Sequence, residues 1–303
     1  MKQYKTMKKT KILVALVSYG TNQDKFSFDL HKRNYFNQDN YMFTVLNEWD
    51  NIDTTKYEVD LKLYITDDVD ISKYTNINIE KLIYNPDITD LLTWQYRDLF
   101  IKEKDNYDLF IYNENDMLIT QNHLDLLLRL TPDLPERSAI GFLRYEVKDG
   151  KKYLIDLPFG PPQKIQLAEQ YKDTIYISPV NTNQSCHILT KNQLNTLVEE
   201  DLYTPTNDNP RNYFRDGSVH PQATKWWNPT FYQGDRNGYI RCKTSSAAEP
   251  YSTGRFKRLI DIKYYDELLI HHLSNDYVNG KNGFKCEDCY VTDQWFKNLI
   301  KTI

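Results

Sequence analysis

Two carboxylates follow a short apolar run near the middle of the chain. Glu114 and Asp116 stand one residue apart, directly after the apolar residues 109–112. If the backbone stays extended through Asp116, side chains at alternate positions share a face, and both carboxylates point to the same place. Two like charges held so close need a divalent cation, a cluster of basic side chains or a shared proton. A magnesium or manganese ion suits them best, because it prefers carboxylate oxygens and a diphosphate can complete its coordination.

The elements around this pair indicate an α/β protein. The run 109–112 has the length of a strand and is apolar throughout, which is typical of a strand covered on both faces of a sheet. Apolar spacing predicts a helix over 89–104, and SAIGFLRYEV at 138–147 predicts one further strand. Ligands of open α/β sheets bind beyond the carboxyl ends of the strands, which is where the acidic pair stands.

The motif resembles a known enzyme family. A buried strand followed by Glu114-Asn115-Asp116 resembles the DxD motif of glycosyltransferases with the GT-A fold, although Glu replaces the first Asp. LTWQYRDLF at 91–99, taken with YDLFIYNENDMLIT at 107–120, resembles a narrower group of such proteins in fungi, algae and large DNA viruses. The resemblance implies a Rossmann-like GT-A fold, with a central, mixed but mostly parallel sheet flanked by helices. It also implies one domain over 1–303, with a nucleotide-sugar half to about residue 120 and an acceptor half from about residue 121.

The resemblance also implies an activity. The protein would transfer a sugar from a nucleoside-diphosphate sugar, most often a UDP-sugar, to a hydroxyl of a glycan or protein acceptor. Asp116 and Glu114 would be the catalytic pair, holding Mn²⁺ or Mg²⁺ that neutralises charge on the departing diphosphate and contacting the donor. Two alternatives remain: a metal-dependent phosphoryl or nucleotidyl enzyme, and a non-catalytic sugar- or nucleotide-binding protein derived from a glycosyltransferase.

Two histidines near the carboxyl end are candidate metal ligands. GT-A enzymes often take a further ligand from a C-terminal histidine, and LLIHHLS at 268–274 resembles that element. Neighbouring residues of a strand face opposite ways, so only one of His271 and His272 reaches the metal. We favour His272. A mixed carboxylate and imidazole site favours manganese modestly over magnesium.

Candidate donor contacts lie at the ends of the first two predicted strands. Apolar residues 12–17 predict strand one, and Ser18, Tyr19 and Gly20 form a turn that either walls the nucleotide pocket or simply connects two elements. Asp67 or Asp68, after a second predicted strand, would bind the base or ribose, or be solvated surface acids.

Other candidates lie further along the chain. Arg97 would reach the donor phosphates or ribose, for which a planar guanidinium is suited, or pair with a nearby acid. By analogy with GT-A enzymes, residues 181–187 face the acceptor, although His187 alone is more typical of a structural histidine. The long segment 201–255 holds aromatic residues for an acceptor platform and acids for a general base: Trp226, Trp227, Phe231, Tyr232, Asp216, Asp235 and Glu249.

Composition excludes several other classes of protein. The 303 residues, 40% of them hydrophobic, supply a sizeable core. With 38 basic and 42 acidic residues and a formal net charge of −4, the chain lacks the basic bias of a nucleic-acid binder. The four cysteines are scattered, and the pair Cys286 and Cys289 lacks the second pair that a structural zinc site needs.

The sequence also gives an expectation about location. The basic start and the apolar residues 12–17 resemble a signal peptide, but the apolar part is short and no small-residue cleavage site follows. No apolar run approaches the length of a membrane span. We expect a cytoplasmic protein, in the host cytoplasm if the chain is viral.

Overall fold

The computed structural model describes most of both halves of the chain. The described residues are 8–18, 38–66, 68–72, 75, 77–85, 92, 95–158, 165–179, 186–200, 203, 257–275, 277–279 and 290–301. The aromatic residues and acids predicted within 204–256, and Cys286 and Cys289, lie outside them. No helix of the described part is long and apolar enough to cross a membrane.

The described strands and helices alternate in the first half of the chain, and strands predominate in the second. In chain order the strands are β1 (Thr10–Ser18), β2 (Tyr57–Ile65), β3 (Ile79–Ile83), β4 (Leu109–Glu114), β5 (Met117–Leu118), β6 (Ser138–Ile140), β7 (Leu143–Lys148), β8 (Lys151–Pro158), β9 (Ile165–Tyr171), β10 (Thr174–Pro179), β11 (Cys186–Thr190), β12 (Lys257–Asp261), β13 (Leu269–His272) and β14 (Tyr290–Thr292). The α-helices are α1 (Gln38–Asp50), α2 (Tyr96–Glu103), α3 (Gln121–Leu130), α4 (Lys191–Glu199) and α5 (Asp293–Ile300).

A five-stranded sheet forms the centre of the fold. Its strand order is β11-β4-β1-β2-β3, in which β11 alone runs antiparallel to its neighbour and the other pairs are parallel. The prediction of an α/β fold with a central, mixed but mostly parallel sheet is confirmed. The prediction of a strand over residues 12–17 is also confirmed, because β1 contains them.

Both faces of β4 are covered, which explains its continuous apolar sequence. Leu109 and Ile111 pack into a core that also holds buried residues of α1 and α3. Phe110 and Tyr112 point the other way, into a second core formed with α2 and α4. A strand between two helix layers has no polar face.

A second five-stranded sheet contains the candidate histidines. Its order is β14-β8-β7-β13-β5. The short strand β5 starts directly after Asp116 and pairs antiparallel with β13, so that His272 lies opposite Met117. The backbone N–H of Leu273 donates to the carbonyl of Asp116 at 2.8 Å. This pairing places the acidic segment 114–116 next to the histidines of β13, although the two are far apart in the sequence.

Two predicted elements differ from the observed ones. SAIGFLRYEV is two strands rather than one: β6 joins a four-stranded sheet with β12, whereas β7 pairs with β8 and β13. The break is at Gly141, where a Cβ atom would lie 2.3 Å from Cγ of the buried Arg258. Within the described residues, helix α2 begins at Tyr96, later than the predicted start at 89.

Candidate metal and donor site

The acidic pair stands at a sharp turn that is attached to the end of β1. The strand β4 ends at Glu114, and Asn115 and Asp116 form the turn. The backbone N–H of Asn115 donates to the carbonyl of Val17 at 3.0 Å, and its side-chain amide donates to Oγ of the buried Ser18 at 3.0 Å. These bonds fix the turn at the carboxyl edge of the central sheet.

The backbone turns at Asn115 and Asp116, directly after Glu114. The expectation that the two carboxylates share a face required an extended backbone through Asp116, and the turn removes that condition. Glu114 accepts a hydrogen bond from the hydroxyl of Tyr112 at 2.7 Å, on the face of β4 that Tyr112 occupies. Among the described residues, no group of three or more His, Cys, Asp or Glu side chains converges in a way that could hold a metal ion.

Asp116 instead meets a histidine from the other end of the chain. Nε2 of His272 lies 3.0 Å from Oδ2 of Asp116. His271 faces the opposite side of β13, where its ring stacks on Tyr145 with ring centres 4.7 Å apart. The alternation of side chains along the strand therefore brings His272, and not His271, to the acidic turn.

A second carboxylate, which the sequence analysis did not identify, holds the other side of this histidine. Oε1 of Glu146 lies 2.5 Å from Nδ1 of His272, and Oε2 accepts the backbone N–H of Val278 at 2.7 Å. Glu146 is fully buried on β7. The signal was present in the sequence, because Glu146 lies inside a predicted strand and a charged residue needs partners if that strand is buried.

A buried ion pair lies beside these residues. Arg144 donates from Nε and Nη2 to Oδ1 of Asp156 at 2.9 and 2.8 Å, and from its backbone N–H to Oδ2 at 2.7 Å. Both side chains are at least 95% buried, so each needs the other to offset the loss of hydration. The positive charge of Arg144 also favours the ionised form of Asp116.

The charges of the site are strongly coupled. Burial alone would lower the pKa of His272, but Asp116 and then Glu146 raise it to about 10. Burial alone would raise the pKa of Asp116, but the neighbouring His272 keeps it below its usual value. With no cation bound, His272 is therefore an imidazolium between two carboxylates at neutral pH.

Two of the residues present, Asp116 and His272, carry donor atoms that suit a divalent cation. Oδ1 of Asp116 is buried and has no hydrogen-bond partner in the described part of the chain. Carboxylate oxygen and neutral imidazole nitrogen are both suitable ligands for manganese. Metal-binding histidines commonly donate their second ring N–H to a carboxylate, which is the position of Glu146 relative to His272. Asp116 and His272 would hold the ion, and Glu114 stands at the same turn.

The predicted donor contacts are only partly described. Ser18 lies at the turn, but Tyr19, Gly20 and Asp67 are outside the described residues. Arg97 is buried: its Nη1 donates to the carbonyl of Tyr203 at 3.4 Å, and its guanidinium lies 5.0 Å from the centre of the Tyr203 ring. The structure thus places Ser18 at the candidate site and Arg97 in the core that α2 helps to form.

His187 belongs to the same buried cluster as Arg97. Its Nε2 lies 3.3 Å from the hydroxyl of Tyr203, and its ring packs against Tyr96 and Tyr112. Burial and then the nearby Arg97 lower the pKa of His187 to about 3. A neutral, enclosed imidazole of this kind has the properties of a structural histidine. The remaining predicted acceptor residues, 181–185, are outside the described part.

Comparison with known proteins gives little additional information. Neither a protein-family model nor a curated protein matches the sequence. One similar solved structure is the crystal structure of a glycosyltransferase involved in the glycosylation of the major capsid of PBCV-1. It is 11% identical, with a TM-score of 0.29, and the alignment covers 88% of this chain and 99% of that one. A likeness at this level assigns neither a family nor an activity.

Proposed function

We propose that this protein is a metal-dependent glycosyltransferase that moves a sugar from a nucleoside-diphosphate sugar, of the UDP class, to a hydroxyl of a glycan or protein. One observation carries the proposal: Asp116 and His272 meet, 3.0 Å apart, at the carboxyl edge of a mostly parallel sheet. Ligands of open α/β sheets bind at that edge. The turn that supplies Asp116 is also the segment that resembles the DxD motif.

The chain's own residues have distinct tasks in this reaction. A bound Mn²⁺ or Mg²⁺ would supply Lewis-acid and electrostatic stabilisation of the departing diphosphate. Asp116 provides the anionic ligand, and Oδ1, which lacks a partner among the described residues, is available for it. His272 provides a nitrogen ligand, which favours manganese. Glu114 assists directly, or through the ribose or a water molecule. His271 faces away and is left out of the ligand set.

The donor would lie against the turn. Ser18 is fixed by the side chain of Asn115, so its position relative to Asp116 is set before any ligand binds. Tyr19, Gly20 and Asp67 extend the proposed nucleotide contacts. Arg97, buried in the core beside Tyr203, is left out of the proposed donor contacts.

A donor-hydrolysis panel tests the proposal. UDP-, GDP- and dTDP-sugars would each be incubated with the full-length protein and manganese, magnesium or a chelator, and the released nucleotide identified. We expect one UDP-sugar to release nucleoside diphosphate slowly, with manganese more effective than magnesium and no release with chelator. Repeating the positive reaction with acceptor sugars and peptides should transfer the sugar.

The nucleotide product separates this function from the alternatives. Release of nucleoside monophosphate would identify phosphoryl or nucleotidyl chemistry, which the same carboxylates and cation can support. Calorimetric binding of the donor without turnover, with every acceptor tried, would identify a binding protein instead. Either result would contradict the glycosyltransferase proposal.

A further inference from the structure

We propose that Glu146 is a positioning residue that determines which nitrogen of His272 faces the bound cation. The inference rests on the proposed metal site, and it adds a residue that does not itself touch the cation. Glu146 is separated from His272 by 126 positions in the sequence and is not part of the DxD-like segment.

The hydrogen bonds of Glu146 leave little choice of tautomer. Both oxygens of Glu146 accept backbone N–H groups, Oε1 from Tyr277 at 3.4 Å and Oε2 from Val278 at 2.7 Å. The nitrogen that faces these acceptor oxygens is therefore the donor and carries a proton. That nitrogen is Nδ1, at 2.5 Å from Oε1. The other nitrogen, Nε2, faces Asp116. When a cation replaces the second proton, the lone pair of Nε2 is therefore the one that points to the site.

The surroundings also fix the position of Glu146. The parallel ladder between β13 and β7 pairs His271 with Tyr145, and the next residues along each strand are His272 and Glu146. The second oxygen of Glu146 accepts the N–H of Val278. This bond holds the segment that places the Tyr277 ring 5.5 Å from the imidazole of His272. Glu146 thus contacts the edge of the His272 ring directly. Through Val278 it also holds the segment whose Tyr277 ring lies near the imidazole.

A glutamine at this position would keep the volume and change the hydrogen bonding. Three donors, Nδ1–H of His272 and the backbone N–H groups of Tyr277 and Val278, now meet two acceptor oxygens, whereas glutamine offers only one oxygen. If that oxygen stays with Val278, the new NH₂ group faces Nδ1, which must then give up its proton. The proton moves to Nε2 and blocks the metal-facing lone pair.

Metal affinity is the first measurement. Manganese binding would be titrated by calorimetry in the full-length wild type, Glu146→Gln and Asp261→Asn. Asp261 is another buried carboxylate, on β12, that accepts a backbone N–H, and asparagine can keep that bond. We expect Glu146→Gln to bind manganese roughly 10- to 100-fold more weakly than wild type, and Asp261→Asn to bind as wild type does.

The tautomer of the wild-type histidine is the second measurement, and it needs no variant. Imidazole ¹⁵N chemical shifts would be recorded with the diamagnetic ion Zn²⁺. We expect Nδ1 of His272 to be protonated and Nε2 to be bound to zinc. His123 is an internal reference of opposite tautomer, because its Nδ1 accepts the N–H of Thr120 and its Nε2 faces the carbonyl of Leu269.

The outcomes separate this inference from the proposed function. If Glu146→Gln binds manganese as tightly as wild type, the positioning role is wrong and the metal site is unaffected. The same holds if the ¹⁵N shifts place zinc on Nδ1 of His272. A wild type that binds neither ion would overturn both. A Glu146→Gln variant that unfolds leaves the decision to the wild-type ¹⁵N shifts.

Discussion

At the scale of single residues, the site combines a histidine with a carboxylate on each of its nitrogens. Without a cation, the proton on Nε2 of His272 balances the charge of Asp116, and with a cation the metal would do so. The proposed cation would thus take the place of that proton.

Asp116→Asn should abolish turnover and keep the fold. Asparagine has nearly the same shape but lacks the negative charge that the proposed reaction needs, so donor hydrolysis should fall by roughly 100-fold or more. Circular dichroism should still show a cooperative melt. Asp125→Asn is the matched control, because Asp125 lies on α3 and bonds to Lys56 and Tyr57 rather than to the site. A fully active Asp116→Asn variant would remove this residue from the catalytic centre.

The metal-free protein should lose stability at alkaline pH through His272. Its pKa in the folded state is raised from 6.5 to about 10, so its contribution is complete below pH 6.5 and is lost as the pH rises towards 10. Urea midpoints at both ends of this range, with chelator present, should fall further in wild type than in His272→Gln. Because both proteins contain the same tyrosines and lysines, the effect of their titration on stability cancels in the comparison. Equal losses would show that His272 is not held as an imidazolium.

At the scale of secondary structure, helix α3 connects the acidic turn to the histidine strand. The N–H of Thr120 donates to Nδ1 of His123 at 3.0 Å, and Nε2 of His123 lies 3.2 Å from the carbonyl of Leu269, the first residue of β13. Helix α4 begins with the same kind of cap, in which the side chain of Gln193 takes the place of the histidine and accepts the backbone N–H of Thr190. Each cap side chain also reaches a strand: Nε2 of His123 faces the carbonyl of Leu269 in β13, and Nε2 of Gln193 donates to the carbonyl of Ser138 in β6 at 2.9 Å.

His123→Gln should keep the cap of α3 and remove the titratable ring. Because glutamine can repeat both bonds, as Gln193 does, we expect the free energy of unfolding at neutral pH to change by no more than about 1 kcal/mol. Burial lowers the pKa of His123 to about 4, so wild-type stability should fall as the pH drops from 6.5 towards 4. The variant should show a shallower fall over that range, measured by urea unfolding. An unchanged slope would show that His123 does not contribute to acid sensitivity.

At the scale of the whole molecule, one core is shared by the central sheet and the histidine-bearing sheet. It contains Ile111 of β4, Ile270 of β13 and buried residues of α1, α3 and α5. Two sheets that bury their side chains in the same core should unfold together. The single domain over 1–303 stays a prediction, and the response of both sheets to core truncation tests it.

Core truncations in the two sheets should shift the same transition. Ile111→Ala and Ile270→Ala should each lower the free energy of unfolding by about 2–5 kcal/mol, because both residues are fully buried. Fluorescence and circular dichroism should report one coincident transition for each variant. Phe43→Ala is the control, since Phe43 is 47% exposed, and it should change stability by less than about 0.5 kcal/mol. Two transitions that shift separately would show two domains.

Much of the fold was predictable because it follows from local patterns. The apolar run 109–112 is typical of a strand that is covered on both faces, and it indicated the central strand. The acids that follow this run indicated the edge where a ligand would bind. The alternation of strand side chains predicted that only one of His271 and His272 would reach the acidic segment. Each of these features depends on residues that are neighbours in the sequence.

The sequence by itself therefore determined the central strand of the sheet, and it predicted the edge where a ligand would bind and the candidate ligands. Only the tertiary structure decided that the chain turns at Asp116, that Glu146 holds His272, and that Arg144 is paired with Asp156. The physical reason is that a local pattern states which side chains need a partner, but not which partner they find. That choice depends on the register of strands such as β7 and β13, whose contacting residues are more than a hundred positions apart.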